Sequence, residues 1–335
     1  MEMDKQMGAY FDQVPLVGTG LDSAADIGGW LTSAPVHALV EAFAEDAEDR
    51  ELVGDLMAEK GDVAERLARL DVFTDRWDTR QGLERNQAAE LPLSPDQEEL
   101  ALVAAEALGM CGGTRLRFDQ YDHVLMLGGL IRACLVRTAY AAHLIRSGQI
   151  IAGSVTALGG HRPFVGDEFA LAAEAGAPEL SEEYEAMDFG TRRAFGLGEP
   201  ETVEGEESPL PGGTWGVRRY RTVEGVPVQV VAAPSSEPEK RRADTPDSYA
   251  FFADQIAALR PRERLLLVTT PIYVPAQHAA AVRMLKLPYG VEVDTVGNDP
   301  GLVEGAPAQK FSATKYLLEV RSTVRSLRRL EDAIR

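Results

Sequence analysis

The loop GGHRPFVGDE brings Gly159, Gly160, His161, Arg162 and Glu168 into one turn and the start of a helix. Arg162 has the planar fork that grips a carboxylate or phosphate, Glu168 can accept a proton or hold a ribose or amine, and His161 can act as the partner acid. Each also has a local account. A glutamate in a helix's first turn complements the dipole, and a loop histidine is ordinarily solvated. Gly128 and Gly129 close the run HVLMLGG, where glycine permits a sharp turn and close backbone approach to a ligand, or simply eases a strand-to-helix turn. Thr269 and Thr270 end RERLLLVTTP, with Tyr273 and His278 following. Their hydroxyls can hydrogen-bond a ligand, although a β-branched strand end needs none, and His278 on an Ala-rich helix reads as a packing residue. ADTPDSYAFF supplies Thr245 beside Asp244, Asp247 and Ser248, for which a helix N-cap is the simpler account.

Several chemistries lack their motifs. The glycines do not form G-x-G-x-x-G, and no P-loop, G-x-S-x-G elbow or H-E-x-x-H is present. Cys111 and Cys134 make neither a metal-ligand spacing nor a disulfide framework, which suits a reducing cytoplasm.

The elements that must position these residues follow from hydrophobic period. From about Ser23 to Leu108 the apolar residues recur every three or four positions, which predicts helices, one of them starting at Ser94, Pro95 and Glu98. Beyond Arg117 the pattern changes to short apolar runs ending in glycine or threonine, each followed by a helical stretch. HVLMLGG leads into a helix closing on Gly148; QIIAGSVTALGG leads into a helix from about Glu168 to Ala175; RERLLLVTTP and GVEVDTVG flank VPAQHAAAVRML. Strands alternating with helices predict βαβ units on a mainly parallel sheet, a Rossmann-like three-layer α/β/α domain. In such sheets ligands settle beyond the carboxyl ends of the strands, where every candidate above falls.

Two stretches interrupt the alternation: GLGEPETVEGEESPLPGG reads as an exposed acidic loop, and WGVRRYRTVEGVPVQVVAAP as a hairpin turning at Glu224 and Gly225. Together they predict an insertion at about 198–234. The expected organisation is a helical region at 1–117 packed on a Rossmann-like domain at 118–335. The last helix, SATKYLLEVRSTVRSLRRLEDAIR, is amphipathic, with Arg321, Arg325, Arg328, Arg329 and Arg335 either solvated or forming a homo-oligomer contact or docking strip.

A chain of 335 residues with 45% hydrophobic and 26% charged residues has the composition of a folded protein of one large or two ordinary domains. The formal net charge of −19 disfavours a nucleic-acid surface, which needs a basic patch to displace counterions. No segment approaches the ~18 uninterrupted apolar residues of a membrane span, and the N-terminus lacks a signal-peptide pattern.

The turn in DHVLMLGG, the helix with Arg137, Ala139 and Gly148, the turn TALGG with Glu168 downstream, ADTPDS, and LLLVTTPIYVPAQ resemble, in that order, the ElyC/SanA/YdcF family over roughly Tyr121 to Gly297. Tyr273 stands where that family has His, Ala276 or Gln277 near its usual Arg, and Ser248 at its second Asn. The resemblance implies a Rossmann-like fold and, for the soluble YdcF branch, a nucleotide or S-adenosylmethionine as ligand of a group-transfer enzyme. The alternatives are a hydrolase or phosphoryl-type enzyme acting on an anionic metabolite or glycan precursor, with Glu168 and His161 as base and acid, and a non-catalytic binding protein. In the first case Gly128, Gly129, Gly159 and Gly160 shape the floor, Arg162 orients an anion, Glu168 holds a hydroxyl or acts as base, and Thr245, Thr269, Thr270 and Tyr273 supply polar contacts.

Overall fold

The computed structural model describes residues 11–20, 22–59, 61–79, 89–112, 115–210, 212–222, 224–302 and 309–335. It divides into two compact units, the first made of residues 1–111 and 310–335 and the second of residues 112–309.

The first unit opens with four helices, α1 (Ser23–Leu31), α2 (Ala34–Ala42), α3 (Ala47–Met57) and α4 (Val63–Phe73), followed by α5 (Pro95–Ala107). Ser94 caps α5 by accepting from the Gln97 N–H, and the Gln97 side chain returns to the Ser94 N–H. The box therefore closes on Gln97, the third helical residue, and not on Glu98, because only that position reaches back to the cap.

The second unit is built on a seven-stranded sheet, made of β1 (Gln120–Leu127), β2 (Ile151–Gly159), β3 (Thr202–Glu206), β4 (Trp215–Arg221), β5 (Pro227–Ala232), β6 (Arg264–Thr269) and β7 (Glu292–Gly297). Its spatial order is β3-β4-β5-β2-β1-β6-β7, and β5, β2, β1, β6 and β7 are mutually parallel. The helices α6 (Ile131–Arg146), α7 (Glu168–Glu174) and α8 (Glu183–Phe195) precede α9 (Thr245–Phe251), α10 (Val274–Ala281) and the short α11 (Leu287–Tyr289). Val124, Met126 and Val155 pack with α6 and α8, while Leu125, Leu127 and Leu267 pack with α9 and α10. Both faces of the central strands are thus buried, which is why their sequences read as continuous apolar runs and not as alternations. The fold is the expected three-layer α/β arrangement.

The hairpin turns at Gly225, whose φ is +87°, and its strands join the sheet. β5 pairs in parallel with β2 from Val155↔Val228 to Gly159↔Ala232, making it a full member of the parallel sheet. β4 and β3 extend that edge antiparallel, and all five residues of β3 are exposed. The stretch expected as an insertion at 198–234 supplies β3, β4 and β5: VPVQVV is apolar enough to be buried on β2, and the acidic Glu201, Glu204 and Glu206 mark the solvated outer edge.

The chain ends in α12 (Ala313–Ile334), which groups with the first unit and not with the 118–335 domain expected from its place in the sequence. Leu317, Leu318, Val320, Val324, Leu327 and Leu330 are all buried. Arg321, 5% exposed in its side chain, pairs with Asp71, Asp75 and Asp78, while Arg325 and Arg328 also reach Asp71. The apolar stripe of α12 is buried inside this unit against α1, α4 and α5. Among the described residues no helix is long and apolar enough to cross a membrane.

Candidate functional site

The two glycine turns meet as the sequence requires. β1 and β2 run parallel with Leu127 opposite Leu158, so Gly128 and Gly159 leave the sheet side by side. On its other side β1 adjoins β6, and this pair is where the order of the parallel strands reverses. At such a point the connections on either side diverge to opposite faces and leave a crevice beyond the carboxyl ends. Gly128 and Gly129 border it from β1, Thr270 and Tyr273 from β6.

Arg137, on the second turn of α6 and only 1% exposed, reaches back to this point. Its guanidinium donates to the carbonyl oxygens of Leu127 (2.7 Å) and Gly128 and to Thr270 Oγ1 (3.0 and 3.2 Å), and lies 5.7 Å from the centre of the Tyr273 ring. A positive charge is therefore fixed beneath the turn, with carbonyl and hydroxyl oxygens among its acceptors. Arg137 figured in the sequence only as a spacing marker; its amphipathic position on α6 gave no sign that it points to the strand ends.

Glu168 has a different place from the one expected. It is fully buried, and each oxygen accepts two hydrogen bonds: Oε1 from Ile131 N (2.9 Å) and Arg162 Nη2 (2.9 Å), Oε2 from Val165 N (3.0 Å) and Arg162 Nη1 (2.8 Å). Burial works to raise its pKa, but the Arg162 guanidinium and the two backbone N–H groups outweigh it and hold the carboxyl below the usual range. A saturated carboxylate of lowered pKa is a poor base, so that role passes elsewhere. The same bond to Ile131 N places Glu168 at the start of α6, where the first βα turn of a dinucleotide-binding sheet would receive pyrophosphate. That anion position is filled by the protein itself.

Arg162 likewise spends its fork internally. Beyond Glu168 it donates to Gly129 O (3.0 Å), to Pro163 O (3.1 Å) and, through Nε, to Glu183 Oε2 (3.0 Å). His161 donates through Nδ1 to Glu182 at 3.1 Å and leans on Tyr184, while its Nε2 is enclosed without a partner among the described residues. The half-buried imidazole is thereby oriented with its Nε2 closed off from solvent.

Glu183 is the residue that the sequence reading passed over. It opens α8, its side chain is 15% exposed, and one oxygen is held by Arg162. The other oxygen, Oε1, has no hydrogen bond among the described residues and faces Gly128 so closely that a Cβ there would collide with it. Burial raises the Glu183 pKa, against the pull of Arg162, Arg137 and Arg242. The signal available was a Glu in the first turn of α8, identical in kind to Glu168 in the first turn of α7.

The remaining candidates divide. Gly159 packs against Met187 and Tyr184, so its lack of a side chain serves the contact between β2 and α8, whereas nothing lies within 4 Å of a Cβ built at Gly160. Thr269 is fully buried and its hydroxyl donates to Gln277 on α10, beneath the rim, while Thr270 lies at the rim with Arg137. Thr245 is the first residue of α9, capped by Asp244 with Asp247 closing the box. His278 is buried against Thr295, the packing role expected of it.

A second constellation lies toward the amino end of the sheet. His123 Nδ1 is 2.8 Å from Ser154 Oγ and its Nε2 is 3.5 Å from Glu263. Ser154 sits within an extended strand and not on a strand-to-helix turn, so it lacks the paired backbone N–H groups that stabilise an acyl-transfer intermediate. A cross-strand polar pair accounts for it.

Fold and site together define a doubly wound α/β protein with charged side chains gathered at its switch point, accompanied by a separate helical unit. In the helical unit, residues 18–109 match the family model described as the Rv3785 N-terminal domain. The chain is similar to uncharacterized protein Rv3785 and uncharacterized protein MT3893 of two Mycobacterium tuberculosis strains and to uncharacterized protein Mb3814 of Mycobacterium bovis. Each is 28% identical over 329 residues, covering 90% of this chain and 91% of the relative. No solved structure matches. The ElyC/SanA/YdcF resemblance is overturned by these matches, which are to Rv3785 and its counterparts and run across both units. Its motifs were glycine-ended parallel strands in order, which any switch-point sheet produces, so they carried the fold and not a family. The S-adenosylmethionine and nucleotide expectations lose the family resemblance that implied them.

Proposed function

We propose that the second unit is an enzyme acting on a small anionic metabolite bound at the carboxyl ends of β1 and β6, with Glu183 moving the proton. The group-transfer class expected from the sequence is retained, with proton transfer as the step that the chain itself performs. What carries the proposal is the Glu183 carboxyl: one oxygen anchored by Arg162, the other open beside Gly128, and a pKa raised by burial toward the range useful for acid–base work. Arg162, Arg137 and Arg242 all act on this carboxyl, and a guanidinium-lined rim suits an anionic ligand. Glu168 and Arg162 then hold the turn, and Thr270 and Tyr273 line it.

The test combines native mass spectrometry with turnover. The full chain is incubated with a defined mixture of organic acids, sugar phosphates and amino acids, and both retention and consumption are followed. One anionic component is expected to be retained by wild type and by Glu183→Gln but consumed only by wild type. Equal consumption by Glu183→Gln would remove the assignment.

A further inference from the structure

Away from the strand ends, α8 carries Glu185, Asp188, Phe189, Arg192 and Arg193 at three- and four-residue steps, which sets them on one face of the helix. That face borders a cavity of about 470 Å³, within the size range of small-molecule sites, together with Glu179 and Leu180 before the helix, Leu197 after it and Arg218 of β4. Leu180 and Asp188 are buried, whereas Glu179 and Arg193 are exposed and mark the side open to solvent. Asp188 accepts from the Tyr220 hydroxyl at 2.5 Å and from Arg218 Nη1 at 2.6 Å, and Arg218 finds no acceptor for Nε or Nη2 among the described residues. Arg192 is held by Glu199 at 2.6 Å, but Arg193 meets only the Ala175 carbonyl, at 3.4 Å, and no carboxylate among the described residues. Glu185 spends Oε2 on the N–H and hydroxyl of Ser181, at 2.7 and 3.0 Å, which leaves Oε1 open; Glu179 has no partner among the described residues.

We infer that this cavity receives a dipeptide-sized zwitterion of apolar residues, its carboxylate meeting Arg193, its ammonium meeting Glu179 and Glu185, and its amide carbonyl accepting from Arg218. Carboxylates and guanidinium groups line the same space, so a ligand of one sign would be repelled by half of the lining, while a ligand with both charges is attracted at each end. Leu180, Phe189 and Leu197 supply the apolar surface that an aliphatic side chain requires. Glu185 and Arg193 are rooted eight residues apart on α8, about 12 Å along its axis. An α-amino acid carries both charges on one carbon, whereas a second residue lengthens the span by about 3.5 Å and brings both ends within reach. The site shares no residue with the strand-end rim, and it stands whether or not Glu183 moves a proton.

The test is isothermal titration of the full chain with leucyl-leucine, N-acetyl-leucyl-leucine, leucyl-leucine amide and leucine. Leucyl-leucine is expected to bind, and each of the other three to bind at least about tenfold more weakly, because each loses a charge-assisted bond or the span between the two ends. Arg193 is exposed, so Arg193→Gln should leave the Tm of the unliganded protein unchanged while weakening leucyl-leucine to the level of its amide. In that variant amidation should cost nothing further, and Arg193→Lys should restore the preference for the acid over the amide. Failure of leucyl-leucine to bind overturns the inference, as does equal binding of leucine or of either capped form. So does an Arg193→Gln variant that still separates the acid from its amide about tenfold.

Discussion

Replacing Arg162 by leucine should expose how much of the rim depends on one buried pair. The Arg162 side chain is 9% exposed and that of Glu168 0%, and the substitution removes both guanidinium bonds to Glu168 together with those to Glu183 and Gly129 O. Glu168 keeps only the N–H groups of Ile131 and Val165. Breaking a buried ion pair from one side costs about 3–5 kcal/mol, which is about two to three and a half orders of magnitude in the opening equilibrium. Hydrogen exchange of β1 and β2 peptides in the full chain measures it, since those amides open only with the sheet. The pH dependence supplies a sign. In wild type the lowered Glu168 pKa gives stability that is present above its unfolded value, near 4.5, and lost as pH falls through the folded value. Without Arg162 burial is opposed only by the Ile131 and Val165 N–H groups, the Glu168 pKa moves up, and the variant's deficit should shrink toward acid pH. A loss of protection under about tenfold, or a deficit that does not change with pH, would refute the assignment of the pair as the anchor of the turn.

Gly128→Ala should destabilise the sheet unit by about 1–3 kcal/mol, because its Cβ would lie 2.6 Å from Leu158 O and collide with Glu183, whereas Gly160→Ala should stay within about 0.5 kcal/mol; thermal melts compare them. Glu183→Gln should be less stable than wild type or equal to it in acid but more stable at pH 8, since a raised carboxyl pKa gives stability that is lost as pH rises through the folded value, and urea melts across pH read this. Arg321→Leu should loosen the helical unit by about 3 kcal/mol, seen as faster exchange in α4 and α12, since Asp71 loses a buried partner. Ending the chain at Lys310 should make residues 22–59 protease-sensitive, because α12 buries six large apolar side chains in that unit, Leu317, Leu318, Val320, Val324, Leu327 and Leu330.

What the residues by themselves determined was local and periodic. The switch from three-and-four spacing to short glycine-ended runs placed the helical region before a parallel sheet, and Gly148 and Gly225 marked turns that the backbone adopts with φ of +72° and +87°. The convergence of the glycine turns on one rim followed as well, since parallel strands joined by helices put like ends together. Partner choice was beyond it. An amphipathic stripe states that α12 must bury one face but not against what, and its acidic partners Asp71, Asp75 and Asp78 lie far away in sequence. An apolar VPVQVV run fits a surface hairpin or a sheet strand until β2 is found beside it. Glu168 and Glu183 are alike on paper, both glutamates in a helix's first turn. Only the tertiary arrangement saturates the first with Arg162 and two backbone N–H groups and leaves the second an open oxygen, because ionisation and reactivity follow from burial and neighbours that distant chain segments supply.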